Sequence, residues 1–189
     1  IDRGKGRWSQ LISAGFATMR AVPPFPYPTG GYRPWRRRTG TYNRPMPRFS
    51  ANLSFLFTER SFLERFAAAR DAGFAAVEFH FPYEHDRAAL AEVVLTSGLE
   101  VVLFNLPAGD WVAGERGIAC HPRRIAEFQD GVGLAIDYAR LLGCIRLNCL
   151  AGIALGDITH DKARETLIEN LRFAAAVAGR AGIELVLEP

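Results

Sequence analysis

The chain has 189 residues, 49% of them hydrophobic and 23% charged, with a net charge of +3 and three cysteines. That composition is ordinary for a soluble globular domain with a sizeable core. It excludes a membrane span, since no apolar run nears the roughly 18–20 residues needed, and an odd cysteine count without Cys-x-x-Cys argues against a disulfide framework or a zinc site.

The charge is unevenly spread. Residues 1–45 hold nine Lys/Arg against Asp2 alone, a net of +8, so residues 46–189 carry −5. The basic balance belongs to a leader, and nucleic acid is not expected as a partner on that ground. Six of the eleven prolines lie in this leader, with three glycines and the run Trp35-Arg36-Arg37-Arg38 between Pro23 and Pro45. Such a stretch sustains neither a helix nor a ladder, so residues 1–45 read as disordered. Leu11 to Met19 mimics a targeting segment but is short and broken by Ser13 and Gly15. Met46 reads as the natural start, with residues 1–45 upstream of it.

From Phe49 a unit recurs: an amphipathic helix stops at a glycine and an apolar run follows. The first strand is expected over 49–57. A helix over 61–72 opens on Ser61-x-x-Glu64, a capping box, and lines up Phe62, Phe66 and Ala69. Gly73 stops it before a strand over 75–81. A short helix over 86–97 begins at Asp86, and Gly98 precedes a strand over 99–104. After a long loop, 105–122, a helix over 123–142 sets Ile125, Phe128, Val132, Ala135, Ala139 and Leu142 on one stripe. Gly143 leads into a strand over 145–150. The last helix, 160–181, follows a Thr159 N-cap and aligns Ala163, Leu167, Leu171, Ala174 and Ala178. Gly182 then leads into a strand over 183–187 that ends at Glu188.

Strands alternating with helices imply βαβ units and a parallel sheet. Five strands complete a doubly wound sheet, or make the first five-eighths of a (β/α)8 barrel. No Gly-x-Gly-x-x-Gly follows the first strand and no Walker A loop is present, which favours the barrel.

Parallel α/β folds gather chemistry at the carboxyl ends of their strands. Those ends carry Asn52 and Ser54, Glu78 and His80, Asn105, Asn148 and Glu188. Asn105 reads equally as a loop cap, Asn148 as a satisfied core amide, and Glu78 with His80 as a buried structural pair. His121 and His160, at helix starts, read as surface residues. The 105–122 loop offers Trp111 as a lid or stacking surface and Arg116 as a carboxylate or phosphate anchor, and its glycines are expected to allow movement. The three thiols, Cys120, Cys144 and Cys149, read as buried and free in a reducing, cytoplasmic compartment.

Several segments together resemble the hydroxypyruvate isomerase family of xylose isomerase-like TIM barrels. They are Pro47 to Ser54, Val77-Glu78-Phe79-x-Phe81-Pro82-Tyr83, Asn105-Leu106-Pro107-Ala108-Gly109-Asp110-Trp111 with Gly114-Glu115-Arg116-Gly117, Glu127 to Val132, Asn148-Cys149-Leu150-x-Gly152 and Leu187-Glu188-Pro189. The resemblance implies an α/β fold, a (β/α)8 TIM barrel truncated after strand 5, with residues 46–189 supplying its first five strands and four helices behind the disordered leader. It implies an intramolecular aldose–ketose isomerase that turns hydroxypyruvate into tartronate semialdehyde through an enediolate. A divalent metal, Mg²⁺ or Mn²⁺, would polarise the substrate oxygens, and Glu188 would be both general base and metal ligand. A second glutamate and the other metal ligands would lie beyond Pro189, so this chain alone is expected to be inactive. Asn105, Trp111 and Arg116 are the expected substrate-binding residues. The 2-oxo-tetronate isomerases share the motifs. A DNA-repair endonuclease of a related barrel is the weaker alternative, since its several histidine ligands have no counterpart in the spacing here. The expected partner is a small hydroxy-oxo acid; assembly into a homo-oligomer is left open.

Overall fold

The computed structural model describes residues 47–189; the leader expected over 1–45 and the start expected at Met46 lie outside the described residues. Strand and helix alternate as β1 (Ser50–Asn52), α1 (Glu64–Asp71), β2 (Ala76–Phe79), α2 (Arg87–Ser97), β3 (Glu100–Asn105), α3 (Ile125–Leu142), β4 (Arg146–Leu150), α4 (His160–Arg180) and β5 (Glu184–Glu188). Among the described residues no helix is long and apolar enough to cross a membrane.

Local chemistry sets the boundaries. The capping box expected at Ser61 is only half formed: the Ser61 amide and hydroxyl donate to Glu64 Oε2, at 3.0 and 2.6 Å, but the Glu64 amide bonds the Ser61 carbonyl and α1 begins after Leu63 with no side-chain cap. Asp86 and Thr159 accept from the amides of Ala89 and Lys162 and so begin α2 and α4. Gly98 and Gly143, with φ of 68° and 67°, end α2 and α3 in the left-handed conformation that a side chain disfavours.

Two further expectations change. The first strand does not run over 49–57; it stops at Asn52. The Asn52 side-chain oxygen accepts from the Ser54 amide at 3.0 Å, and its carbonyl accepts from Phe55 and Leu56. This local turn outcompetes the ladder and leaves Phe55 and Leu56 exposed. In α4 the buried face runs through Ala163, Thr166, Asn170, Ala174 and Ala178, with Leu167 and Leu171 only partly buried beside it. Two polar residues are tolerated there because Thr166 Oγ1 donates to the Lys162 carbonyl and Asn170 Nδ2 to the Ala119 carbonyl, each at 2.9 Å.

All five strands are parallel and pair in the order β1-β2-β3-β4-β5. A doubly wound sheet reverses its order at a switch point. Here the order follows the chain without reversal, and right-handed crossovers then place every helix on the same face. That is the wall of a barrel, and it decides between the two architectures left open by the sequence.

The helix-facing side carries the core. Leu53, Val77, Phe79, Phe104 and Leu147 pack there with Phe66, Leu90, Phe128 and Val132. Phe62, Phe66 and Phe79 meet edge to face, and Phe79 stacks on Phe104 with centroids 5.8 Å apart. Strand alternation turns the residues between these to the opposite face, where Asn52, Glu78, Asn105, Asn148 and Glu188 gather.

Cys120, Cys144 and Cys149 are free and buried. Burial disfavours the thiolate, raising Cys144 and pushing Cys120 up to about 11 and Cys149 up to about 12. All three should therefore stay unreactive toward Ellman's reagent at pH 8 in the folded chain, and three equivalents should appear on denaturation. A fast equivalent from the folded chain would contradict their placement.

Candidate active site at the strand ends

Three strand ends are tied together by one side chain. Asn148, in β4, donates from Nδ2 to Glu188 Oε2 at the tip of β5 (2.7 Å) and to Asn105 Oδ1 at the tip of β3 (3.0 Å). The β4–β5 register, which pairs Asn148 with Val186 and Leu150 with Glu188, makes this reach possible. Asn148 and Asn105 are 5% and 6% exposed, whereas Glu188 is exposed. The main chain of Asn105 is fixed as well. Its amide donates to the His80 carbonyl at 2.9 Å, and its carbonyl accepts from the Tyr83 hydroxyl at 2.6 Å. Burial holds the Tyr83 phenol well above its ordinary range, so it remains a donor.

On the β1–β2 side, Glu78 is engaged by the sheet itself. Its Oε1 accepts from Asn52 Nδ2 at 3.1 Å and its Oε2 from Ser50 Oγ at 3.2 Å. The His80 amide donates to Ser54 Oγ at 2.8 Å, and its ring meets the edge of Phe55 at 4.9 Å and lies 5.5 Å from Trp111. Burial lowers the His80 pKa, and the charges of Glu188 and Glu78 oppose that shift. The imidazole is thus neutral at neutral pH and near both carboxylates.

The long loop lies over this end. Trp111 packs on Phe81 with centroids 5.1 Å apart. The Arg116 guanidinium sits 4.0 Å from the centroid of the Trp111 ring, a cation–π contact, and its Nη1 donates to the Trp111 and Glu115 carbonyls. The turn is closed by Asp110, which accepts from the amides of Ala113 and Glu115. The Glu115 carboxylate accepts from the Asp110 amide and from Arg124, and Arg124 also grips Glu127.

Of the loop glycines, Gly114 has open space around it, while Gly117 packs closely against Gly152 and the end of β4. At Gly117, with φ of +106°, a Cβ would lie 2.3 Å from the Leu150 carbonyl oxygen; at Gly152 it would lie 2.5 Å from the Gly117 carbonyl oxygen. The β3–α3 loop is therefore seated directly on the end of β4.

The four residues singled out in the sequence come to the same end of the sheet. Glu188 and Asn105 share Asn148, Trp111 meets the His80 ring on which Glu188 acts, and Arg116 lies on Trp111. His121 is a correction: it is not a surface residue but 4% exposed, with Nε2 2.8 Å from the Ile153 carbonyl oxygen. It ties the loop after β3 to the loop after β4, a tertiary contact that its place before Pro122 does not announce. His160 is exposed as expected.

Residues 66–189 match the family model described as the xylose isomerase-like TIM barrel. The chain belongs to that family. Over 144 residues it is 52% identical to the hydroxypyruvate isomerase of Escherichia coli (strain K12), covering 76% of this chain and 56% of that protein. It is 47% identical over 144 residues to the 2-oxo-tetronate isomerase of Cupriavidus necator, covering 76% and 55%. A crystal structure from Brucella melitensis named AP endonuclease, family 2, superposes with a TM-score of 0.73 at 47% identity, covering 76% of this chain and 55% of that one. The chain thus spans just over half the length of these TIM-barrel relatives. The resemblance read from the Asn105–Trp111 segment and its companions is borne out.

Proposed function

We propose that this chain supplies the Glu188 side of the active site of an isomerase that converts hydroxypyruvate into tartronate semialdehyde. The observation that carries the reading is Glu188 itself. It is an exposed carboxylate at a barrel strand tip, oriented by Asn148 and near the His80 ring that Trp111 adjoins. The 52% identity to a hydroxypyruvate isomerase supports the substrate.

The chemistry follows from the groups present. Arg116 attracts the substrate carboxylate, and Trp111 flattens the molecule against the strand ends. Glu188 takes a proton from the carbon that bears the hydroxyl. The C–H electron pair becomes the new C=C bond, and the former carbonyl oxygen takes up the negative charge. The proton returns to the former carbonyl carbon, while the hydroxyl proton passes to the former carbonyl oxygen, leaving the aldehyde on one carbon and the hydroxyl on its neighbour. General base catalysis of this kind contributes on the order of 10²–10⁴-fold.

A divalent ion, Mg²⁺ or Mn²⁺, would serve such a reaction as a Lewis acid, but hard cations need several oxygen ligands. Among the described residues no three His, Cys, Asp or Glu side chains are grouped to hold one, and Glu78 is occupied by Ser50 and Asn52. These residues do not make a metal centre by themselves, and Glu188 is the one acid they would offer it. On that ground the 189-residue chain alone is proposed to be inactive.

A chimera tests the reading. Residues 46–189, put in place of the segment they match in the E. coli isomerase, should restore turnover of hydroxypyruvate, assayed beside 2-oxo-tetronate and an abasic-site duplex. A well-folded chimera that turns over neither acid would sink the isomerase reading. Preference for the tetronate would reassign the substrate, and abasic-site cleavage would favour the nuclease.

A further inference from the structure

We infer that Asn105 donates from Nδ2 to the substrate oxygen that gains charge as Glu188 removes a proton, and that Asn148 is the positioning residue that fixes this polarity. The inference rests on the isomerase reading above.

An asparagine amide can be turned either way, and the hydrogen-bond network decides the sense. An ionised carboxylate only accepts, so the Asn148 atom 2.7 Å from Glu188 Oε2 is its nitrogen. The same nitrogen lies 3.0 Å from Asn105, so the Asn105 atom that faces it is the oxygen. Both amide hydrogens of Asn148 are thereby used. Turning Asn148 would set oxygen against carboxylate oxygen, and turning Asn105 alone would set nitrogen against nitrogen.

What remains is the amide nitrogen of Asn105. The residue is 6% exposed, and its Nδ2 has no hydrogen-bond partner among the described residues, while its Oδ1, its backbone amide and its carbonyl are all engaged. Its side chain lies on the same face of the sheet as Glu188, and the two residues share one donor nitrogen, which places them side by side at the strand ends. The nitrogen itself is accessible, since no side-chain nitrogen or oxygen buried among the described residues lacks a partner; an open, pre-oriented donor beside a base is the arrangement that stabilises a developing oxyanion. The ligand atom it takes is a carbonyl or enediolate oxygen; an ammonium or another donor would be repelled. Asn105 is then a catalytic residue, while Asn148 acts through it and through Glu188.

The amide assignment is read without substrate. In the ¹⁵N-labelled 189-residue chain, the side-chain amide protons of Asn148 should exchange slowly and those of Asn105 rapidly; the opposite pattern overturns the inference. The catalytic role is read in the chimera. Asn105→Asp keeps the shape and replaces the donor by a charged acceptor, whereas Asn105→Ala only deletes the donor. Removing one such donor costs about 10²–10³-fold in kcat, so the Ala variant should fall by that amount and the Asp variant at least about tenfold further, each with KM within about threefold. A purely structural amide predicts the reverse order, with the near-isosteric Asp better tolerated, and that order would refute the catalytic role. An inert wild-type chimera rejects the isomerase reading, whereas the exchange pattern stands or falls separately.

Discussion

Glu188→Gln should lower kcat of the chimera by about 10²–10⁴-fold, the range that a general base contributes, with KM changed little. The substitution is nearly isosteric. Asn148 Nδ2, which donates to Glu188 Oε2 at 2.7 Å, can donate equally to the amide oxygen of Gln, so the Asn105–Asn148 pair stays in place. What is lost is the capacity to take a proton. Glu188→Ala is a blunter change, because it also leaves Asn148 with a buried donor unsatisfied, at a cost of about 1–3 kcal/mol. Steady-state kinetics with an unfolding curve for each variant separates the two effects. A Gln variant with kcat within fivefold of wild type would remove Glu188 from the chemistry.

Gly117→Ala should destabilise the folded protein by about 3 kcal/mol. Two terms act together: a side chain held at a positive φ costs of order 1–3 kcal/mol, and forcing a methyl into filled space costs about 1–3 kcal/mol. The atom it meets, 2.3 Å away, is the Leu150 carbonyl oxygen, which is part of β4 and cannot swing aside. Gly133→Ala is the control. It lies inside α3 with open space around the new methyl, and should stabilise by about 0.5–1 kcal/mol. Urea denaturation reads both. Equal midpoints for the two variants would mean that the loop can lift off β4 at no cost. Since the same loop carries Trp111 and Arg116, the Gly117 variant should also raise KM more than it lowers kcat.

Much of this molecule is legible in the chain. The helix stops at Gly98 and Gly143 and the caps at Asp86 and Thr159 are local signals, and each depends on atoms within a few residues. Glu188 is legible because a short apolar run delivers it to a strand tip. The misreadings have non-local causes. Phe55 and Leu56 look like strand residues, but Asn52 turns the chain before they can pair. Asn148 can be placed in a strand from sequence, yet its role depends on the register of β4 against β5 and on the reach to β3. His121 follows a flexible-looking loop, and only the fold brings the Ile153 carbonyl to it. The last helix has Leu167 and Leu171 on its expected stripe, but the fully buried face takes in Asn170 instead, because the Ala119 carbonyl accepts from it.

The seat of the long loop has a consequence for how such a site can be altered. Where Gly117 and Gly152 meet, main chain rests on main chain, with Leu150 and Cys120 beside the contact. That junction is most vulnerable at the two glycines. Trp111, packed on Phe81, and Arg116, bonded to the Trp111 and Glu115 carbonyls, brace the crest of the same loop. On the reading proposed above these two also meet the substrate, so libraries at positions 111 and 116 should shift binding while the footing at the glycines holds the loop in place.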